Sequence, residues 1–508
     1  MNTTQRRLAA AALALILLSA FALRWRAADH RYISQWDEAY HALVAKNLLL
    51  HPFTPTLYDN PLRAADFKDW SESSIWLHKP PVPLWLMAAA MKTGGEEEII
   101  FRLPSVLLGT LTAWLLFRIA ARLFPEEGVL PGLLAGLFFA LNPLMLRLTS
   151  GTIPTDHVDI SLVFFITLAV FLAIRAHGSS RPVPWITAGL AMGVAFLCKS
   201  WPALVALLAV LPLLAADHRQ IRPMFSRAAY LLGGFLALPV PWHLYCYFRW
   251  PKEYAWEMSY NFWTHLTTAV EGHDQPIGYY LGLIPTHFGG IAAATYLLVV
   301  AGCLGCLWRF FTTKDKRLAV LMIWAFSPYL VFSFTQTKMY SYMAPAVPGM
   351  TLLLGLALVQ FMGPGALRRT VLISLVFALH FVPLAWQRTQ ANYEVPTWNH
   401  AYDYVSFREN FRNLQREKGN KVVFNVADRK QPQAMFYGGC TAYADLPSVR
   451  ELIAVADQGW RVFVVVPEPD PGAGAWMEEV ARQGGLRKIG FLHIRTGAAK
   501  PQNDPYRN

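Results

Sequence analysis

Three things are missing from this 508-residue chain: a cysteine pattern, a glycine-rich phosphate loop and an internal repeat. Its five cysteines, Cys198, Cys246, Cys303, Cys306 and Cys440, have no metal-ligand spacing, and Cys303 and Cys306 fall in an apolar stretch that suits small, soft core residues. Neither a disulfide framework nor a redox centre is expected. No glycine-rich turn follows the β-branched runs near the C-terminus, so no phosphate-cradling loop is found there. The lack of related halves counts against a transporter built from repeats. A basic binding face is also lacking. The net charge is +12, yet residues 390–508 hold 15 Lys/Arg against 13 Asp/Glu, so the excess lies among apolar segments and no nucleic-acid partner is expected.

What the chain does have is long apolar runs. Hydrophobic residues make up 54% of it, tryptophans number 18, and stretches of 17 to 23 apolar residues recur. A run of about 20 such residues crosses the hydrocarbon core as a helix. Eleven segments qualify: 8–25, 102–123, 128–148, 158–174, 184–198, 200–216, 226–248, 289–308, 317–334, 341–361 and 370–386. Partial spans such as Val82–Met91 extend the expected range to about 11–13. Met1–Trp25 has a signal-peptide flavour, with Arg6 and Arg7 before its apolar core, but that core is too long and lacks a small-residue cleavage site, which predicts a retained helix.

Charge sets the expected sides. A cytoplasmic N-terminus places the basic connections 118–128, 175–181, 218–227, 309–317 and 363–369 inside. The connections 27–101, 149–157, 199–201, 249–288 and 335–340, and everything after 386, then face outward. The expected fold is mainly α: a polytopic bundle over 1–389 and a small external α/β domain over 390–508, in the order strand, helix, strand, helix, strand. The long loop 27–101 is expected to carry surface-lying amphipathic helices, with Trp70, Trp76 and Trp85 at headgroup level.

The ionisable residues that need explaining all fall on that outer side. Asp37 and Glu38 follow the first span; one acid suits a proton-taking base and the other a helix cap, and capping alone is the competing reading. Lys79, between His78 and Pro80-Pro81, is a stiffly held ammonium suited to a phosphate. Asp156 and Asp159 flank His157 at a helix start, where one acid is explained by the dipole but two are not. Lys199 sits between two apolar helices, which is costly unless it is paired or hydrated and makes it a functional candidate. Lys338 stands between Thr337 and the pair Tyr340 and Tyr342. The loop 249–288, with Trp263, His265 and His273, is rich in aromatics that suit a sugar, a lipid or an interfacial belt.

Taken together, the acidic pair, the Lys79-Pro80 step, Phe101-Arg-Leu-Pro-Ser105, the acid before Leu162-Val-Phe-Phe165 and the Lys199 turn resemble the GT-C glycosyltransferases. The resemblance is to the protein O-mannosyltransferases and, more closely, the bacterial lipid A aminoarabinose transferases, over about residues 1–350. It implies a GT-C bundle that moves a sugar from a polyprenyl-phosphate donor to a lipid, glycan or protein acceptor on the periplasmic face of a bacterial inner membrane, with inversion. Asp37 would be the catalytic acid, with Glu38, Asp159 and then Asp156 as its companions. Lys79, Lys199, Lys338 and Arg147 would contact the carrier phosphate. His78, Tyr40, Trp263, Tyr340 and Tyr342 would contact sugar or acceptor.

This chain departs from the family at three points: His78 stands where the aminoarabinose transferases have Glu, Cys198-Lys-Ser200 replaces Thr-Lys-Gly, and Pro154-Thr-Asp-His-Val-Asp159 is unusual around the second acid. No cofactor is fixed; a divalent metal, if one takes part, has His78, His265 and His273 as candidate ligands. The competing function is a polyprenyl-lipid transporter or flippase.

Overall fold

The computed structural model describes residues 3–34, 36–153, 155–214, 221–288, 292–362, 404–427, 429–468, 473–484 and 488–495. The chain divides into two compact units, one of residues 1–29, 77–83 and 102–390, the other of 30–76, 84–101 and 391–508.

The first unit is a helical bundle, and this is an integral membrane protein. Its leading helices are α1 (Thr3–Ala28), α4 (Glu98–Leu123), α5 (Leu130–Ala140), α6 (Pro143–Thr149), α7 (Asp156–Ala176), α8 (Pro182–Lys199), α9 (Leu204–Leu214), α10 (Ile221–Leu236), α11 (Pro239–Arg249) and α12 (Pro251–Ser259). Between α1 and α4 lie α2 (Asp37–Asn47), which belongs to the second unit, and α3 (Pro81–Gly94), whose first turn begins in the bundle. Among the described residues seven helices are long and apolar enough to cross a bilayer, or up to nine if the bent pairs α5/α6 and α10/α11 each count as one. Proline starts the second helix of each pair, at Pro143 and Pro239, where its missing N–H costs the new helix nothing and breaks the old one. Among the described residues each predicted span up to 341–361 falls largely on helix; the last, 370–386, lies outside them.

Where two spans touch, small residues let them. A Cβ on Gly189 of α8 would meet the Leu231 carbonyl of α10, and one on Gly234 would meet the Ile186 carbonyl, so the two backbones lie in direct contact. Inside the bundle Arg24 of α1 is fully buried and gives its guanidinium to the Ala140 and Phe139 carbonyls at 3.3 and 3.1 Å. Those are carbonyls that the end of α5 cannot pair within its own helix.

In the second unit, β1 (Lys421–Phe424), β2 (Thr441–Ala442), β3 (Arg461–Glu468) and β4 (Ile489–Arg495) form one parallel sheet in the order β2-β1-β3-β4. Parallel strands bury both faces, so they read as β-branched runs with no alternation. Val422 pairs with Val462 and Phe424 with Val464 in the core, with Val449, Leu452 and Val480 of the crossover helices packed on them. The expected strand and helix order is present, with a helix Gln431–Gly438 and the two-residue β2 added between the first strand and the helix Val449–Asp457.

The loop after α2 folds onto this sheet. Arg63 forms a two-toothed pair with Asp445 at 2.9 and 2.9 Å, the Tyr443 hydroxyl accepts the Leu62 N–H at 2.9 Å, and Thr441 donates to the Asn60 carbonyl at 2.7 Å. Trp70 and Trp76 are therefore buried, with the Trp76 indole donating to the Trp70 carbonyl at 2.9 Å, which corrects their predicted place at headgroup level. Three consecutive acids secure the unit's other side: Glu96 pairs with Lys46 at 2.7 Å, Glu97 with Arg412 at 3.1 Å, and buried Glu98 with Arg408 at 2.7 Å. Of these only the Glu98–Arg408 pair is buried, and removing one of its partners would leave the other charge uncompensated, at about 3–5 kcal/mol.

Candidate active site

The candidate side chains of the membrane unit stand at helix ends whose backbone is strained. Thr155 and Asp156, at the start of α7, have φ of 70° and 30°, and Ser200, just after α8, has φ of 47°. Side chains other than glycine avoid this region, at about 1–3 kcal/mol each, and stay there only where the surroundings over-determine the geometry. Here the surroundings are each other. Lys199, the last residue of α8, places its ammonium 2.7 and 2.9 Å from the two carboxylate oxygens of Asp159, one turn into α7. Thr155 donates to the same carboxylate and lies 2.8 Å from Ser341 Oγ. Asp156 turns back to its neighbour, accepting the His157 N–H, while His157 Nδ1 lies 2.9 Å from Ser105 Oγ. Asp159 is the acid that pairs with Lys199.

A cavity of about 500 Å³ opens beside this pair. Its lining includes the polar side chains His78, Lys79, Lys199, His265 and Tyr342 and the apolar Leu204, Leu207, Trp242, Phe262 and Val331. The Tyr342 ring lies 5.4 Å from the Lys199 ammonium. Lys79 acts electrostatically on both Asp159 and Glu257.

Glu257 is the residue that sequence reasoning missed. It lies on α12 in the aromatic stretch Tyr254–Trp263 and is 2% exposed; its Oε2 is 3.0 Å from His78 Nδ1 and accepts from Asn261 at 2.9 Å. A lone acid among five aromatics was the available signal. Burial pushes the Glu257 carboxyl up to about 8, against the opposing pull of Lys79 and Asn261. A neutral Glu257 leaves the charge of Lys79 intact. Burial also holds the His265 imidazole below its ordinary range, and its Nδ1 lies 2.9 Å from the Tyr260 carbonyl.

Other candidates go elsewhere. Lys338 gives its ammonium to the Thr335 carbonyl at 2.6 Å, and its own N–H donates to the His273 carbonyl at 2.9 Å, so it stitches two loops together. Arg147 stacks on Tyr340 at 5.8 Å, with His287 edge-on to the same ring at 4.6 Å, a cluster outside the cavity lining. Trp263 sits in a π-helical turn, Tyr260–Thr264, with 59% of its surface exposed and outside the lining.

Asp37, Glu38 and Tyr40 belong to the second unit. Trp36, which precedes α2, has φ of 66°. Glu38 accepts the Ser34 N–H at 2.5 Å and is 1% exposed, so it caps the backbone ahead of its helix; Asp37, its neighbour, is 9% exposed. Tyr40 is buried edge-on against Trp70 at 4.8 Å, and burial raises its hydroxyl above the ordinary range.

Among the described residues no three His, Cys, Asp or Glu side chains converge so as to hold an ion. Of the candidate ligands, His78 Nδ1 meets the Glu257 carboxylate and His265 Nδ1 meets the Tyr260 carbonyl.

The model of the dolichyl-phosphate-mannose-protein mannosyltransferase family matches residues 78–245. The undecaprenyl phosphate-alpha-4-amino-4-deoxy-L-arabinose arabinosyl transferase of Pseudomonas aeruginosa is 27% identical over 316 residues, covering 60% of this chain and 54% of the relative. A namesake from Sodalis glossinidius is 28% identical over 290 residues, covering 55% and 49%. The chain thus spans about half the length of these relatives. In fold it is similar to ArnT from Cupriavidus metallidurans bound to undecaprenyl phosphate, with a TM-score of 0.64 at 15% identity over 94% of this chain and 89% of that one. It is also similar to the Archaeoglobus fulgidus oligosaccharyltransferase in its apo form, with a TM-score of 0.56 at 12% identity over 88% and 65%. On fold and sequence together, the chain has the GT-C glycosyltransferase fold and resembles the protein O-mannosyltransferase and aminoarabinose transferase family.

Proposed function

We propose that the protein is a membrane glycosyltransferase that moves a sugar from a polyprenyl-phosphate donor to an acceptor hydroxyl or phosphate. In this reading the reaction takes place at the periplasmic face of a bacterial inner membrane, with the N-terminus in the cytoplasm and the C-terminal α/β domain outside. The observation that carries the reading is the lining of the cavity: mostly apolar side chains together with two lysines, Lys79 and Lys199. An isoprenoid tail with a phosphate head matches that pattern, and a free sugar or a peptide does not.

The chemistry follows from the residues. Lys79 and Lys199 hold the phosphate and take up the charge that develops on it as the bond to the anomeric carbon breaks. Asp159 orients Lys199. The acceptor oxygen forms the new bond from the opposite side, inverting that carbon, and a hydroxyl acceptor passes its proton to Asp37. Polyprenyl phosphate leaves with the electron pair.

Glu257 makes this donor site sensitive to pH. Its folded value, about 8, lies above the usual carboxylate range, so its contribution to stability is full below that range and is lost as pH rises through about 8. Ionisation sets a carboxylate against Lys79. The KM for donor is therefore expected to rise about three- to tenfold between pH 7 and pH 9, by partly screened attraction, while Glu257→Gln flattens the profile. A profile unchanged by Glu257→Gln would take Glu257 out of this role.

The test of the function uses purified protein in vesicles loaded with undecaprenyl phosphate-4-amino-4-deoxy-L-arabinose and, separately, undecaprenyl phosphate-mannose, with bacterial membrane lipid as acceptor. Release of undecaprenyl phosphate together with a glycosylated acceptor is expected. Movement of intact donor between leaflets without bond cleavage would instead establish a transporter.

A further inference from the structure

The C-terminal domain sits beside the segment that carries Asp37, and its contacts fall on the two ends of that segment. At one end is the peptide of Ile33. Gln433 donates its side-chain N–H to the Ile33 carbonyl at 2.7 Å, and the Tyr437 hydroxyl accepts the Ile33 N–H at 3.0 Å. Gln433 and Tyr437 are one turn apart on the helix Gln431–Gly438, so one helix face reads both polar groups of that residue. Both side chains are buried, and Tyr437 donates in turn to Glu98 at 2.7 Å, within the Arg408 network. At the other end is Trp36. The Arg429 guanidinium lies over its indole at 4.7 Å.

Trp36 is where the strain is. With φ of 66° and ψ of −133°, it lies in a region close to the one that only glycine visits readily. The next residue is Asp37. Arg429, which itself has φ of 54°, comes from the loop that leaves the carboxyl end of β1. In the order β2-β1-β3-β4 the chain changes direction between β1 and β3, and the crevice at the carboxyl ends of such strands is where doubly wound sheets take their ligands. Here the loop at that position holds the protein's own segment.

We propose that Gln433, Tyr437 and Arg429 form a clamp that sets the position of Asp37 for transfer, making the C-terminal domain a positioning device for the acid and not a second binding module. The proposal rests on the transfer reading given above. None of the three clamp residues is among those that line the apolar cavity, so their loss is expected to act on turnover and to leave donor binding alone.

The test compares the full chain in vesicles with Gln433→Met and Tyr437→Phe, each keeping side-chain size while removing one hydrogen-bonding group, and with Arg429→Ala. Two readouts are taken: hydrogen exchange of the amides of residues 33–38, and steady-state transfer from undecaprenyl phosphate-4-amino-4-deoxy-L-arabinose. Exchange in 33–38 is expected to speed up at least tenfold in Gln433→Met and Tyr437→Phe, with kcat down about ten- to hundredfold, donor KM unchanged, and the double variant little worse than either single one. Arg429→Ala is expected to give a smaller loss that Arg429→Lys partly restores. Unchanged exchange in both buried variants would overturn the clamp whatever the activity. Faster exchange with unchanged kcat would overturn its role in positioning while leaving the transferase reading in place. Wild-type protein that never cleaves donor would remove the transferase reading and, with it, the role assigned to the clamp, even with the exchange result as expected.

Discussion

The Asp37→Asn variant is expected to fold like the parent chain and to lose transfer by about two to four powers of ten, the usual contribution of a positioned general base. The change keeps the shape of the side chain and removes only its ability to take a proton, so donor binding should persist. Glu38→Gln supplies the contrast. Glu38 spends an oxygen on the Ser34 N–H ahead of α2, and its replacement should weaken the start of that helix by about 1 kcal/mol or more with a smaller loss of turnover. The measurement is transfer in vesicles beside thermal melting of the same samples. Full transfer by Asp37→Asn would remove Asp37 from catalysis and leave the strain at Trp36 without a functional counterpart.

Lys199 is expected to show an even larger combined effect, because its loss damages both stability and binding. Asp159 is 1% exposed, and Lys199→Ala leaves that carboxylate buried without its cation, at about 3–5 kcal/mol. The same change removes one of the two charges that would hold the donor phosphate. Adding Asp159→Asn separates the two losses. The Lys199→Ala/Asp159→Asn double variant should regain most of the lost stability, since no bare charge remains, yet it should still bind undecaprenyl phosphate poorly and transfer slowly. A double-variant cycle of melting temperature against donor affinity checks this. Recovery of both properties would make the pair a structural bridge and nothing more.

The bundle was legible because a bilayer imposes a one-dimensional rule: a stretch of about 20 apolar residues must be a helix if it is to satisfy its own backbone. The bent pairs were legible as single long runs but not as bends, since Pro143 and Pro239 reveal a break without revealing its angle. The β-branched runs around 421–424 and 461–466 announced strands, while β2, two residues long, offered no pattern to read. Trp70 and Trp76 were misplaced because an aromatic in a membrane protein reads as an interface anchor when its partners cannot be seen, and here those partners are supplied by neighbours within the loop and by Tyr40.

The candidate site followed the same division. Residue type and local position singled out Lys79, Asp159 and Lys199, since each is an ionisable group where packing alone offers no use for one. Nothing in the chain order said that α12 would bring Glu257 against His78, 179 positions away, or that Gln433 and Tyr437 would grip Ile33 from 400 and 404 positions away. By itself, then, the sequence determined which segments must be helical in a membrane and which charges would be too costly to leave unused, because both are set by transfer of a group out of water and depend on little beyond its neighbours in the chain. Only the tertiary structure decided which acid meets which base, because a pairing of buried charges is a matter of distances of a few ångströms between segments that the chain order leaves far apart.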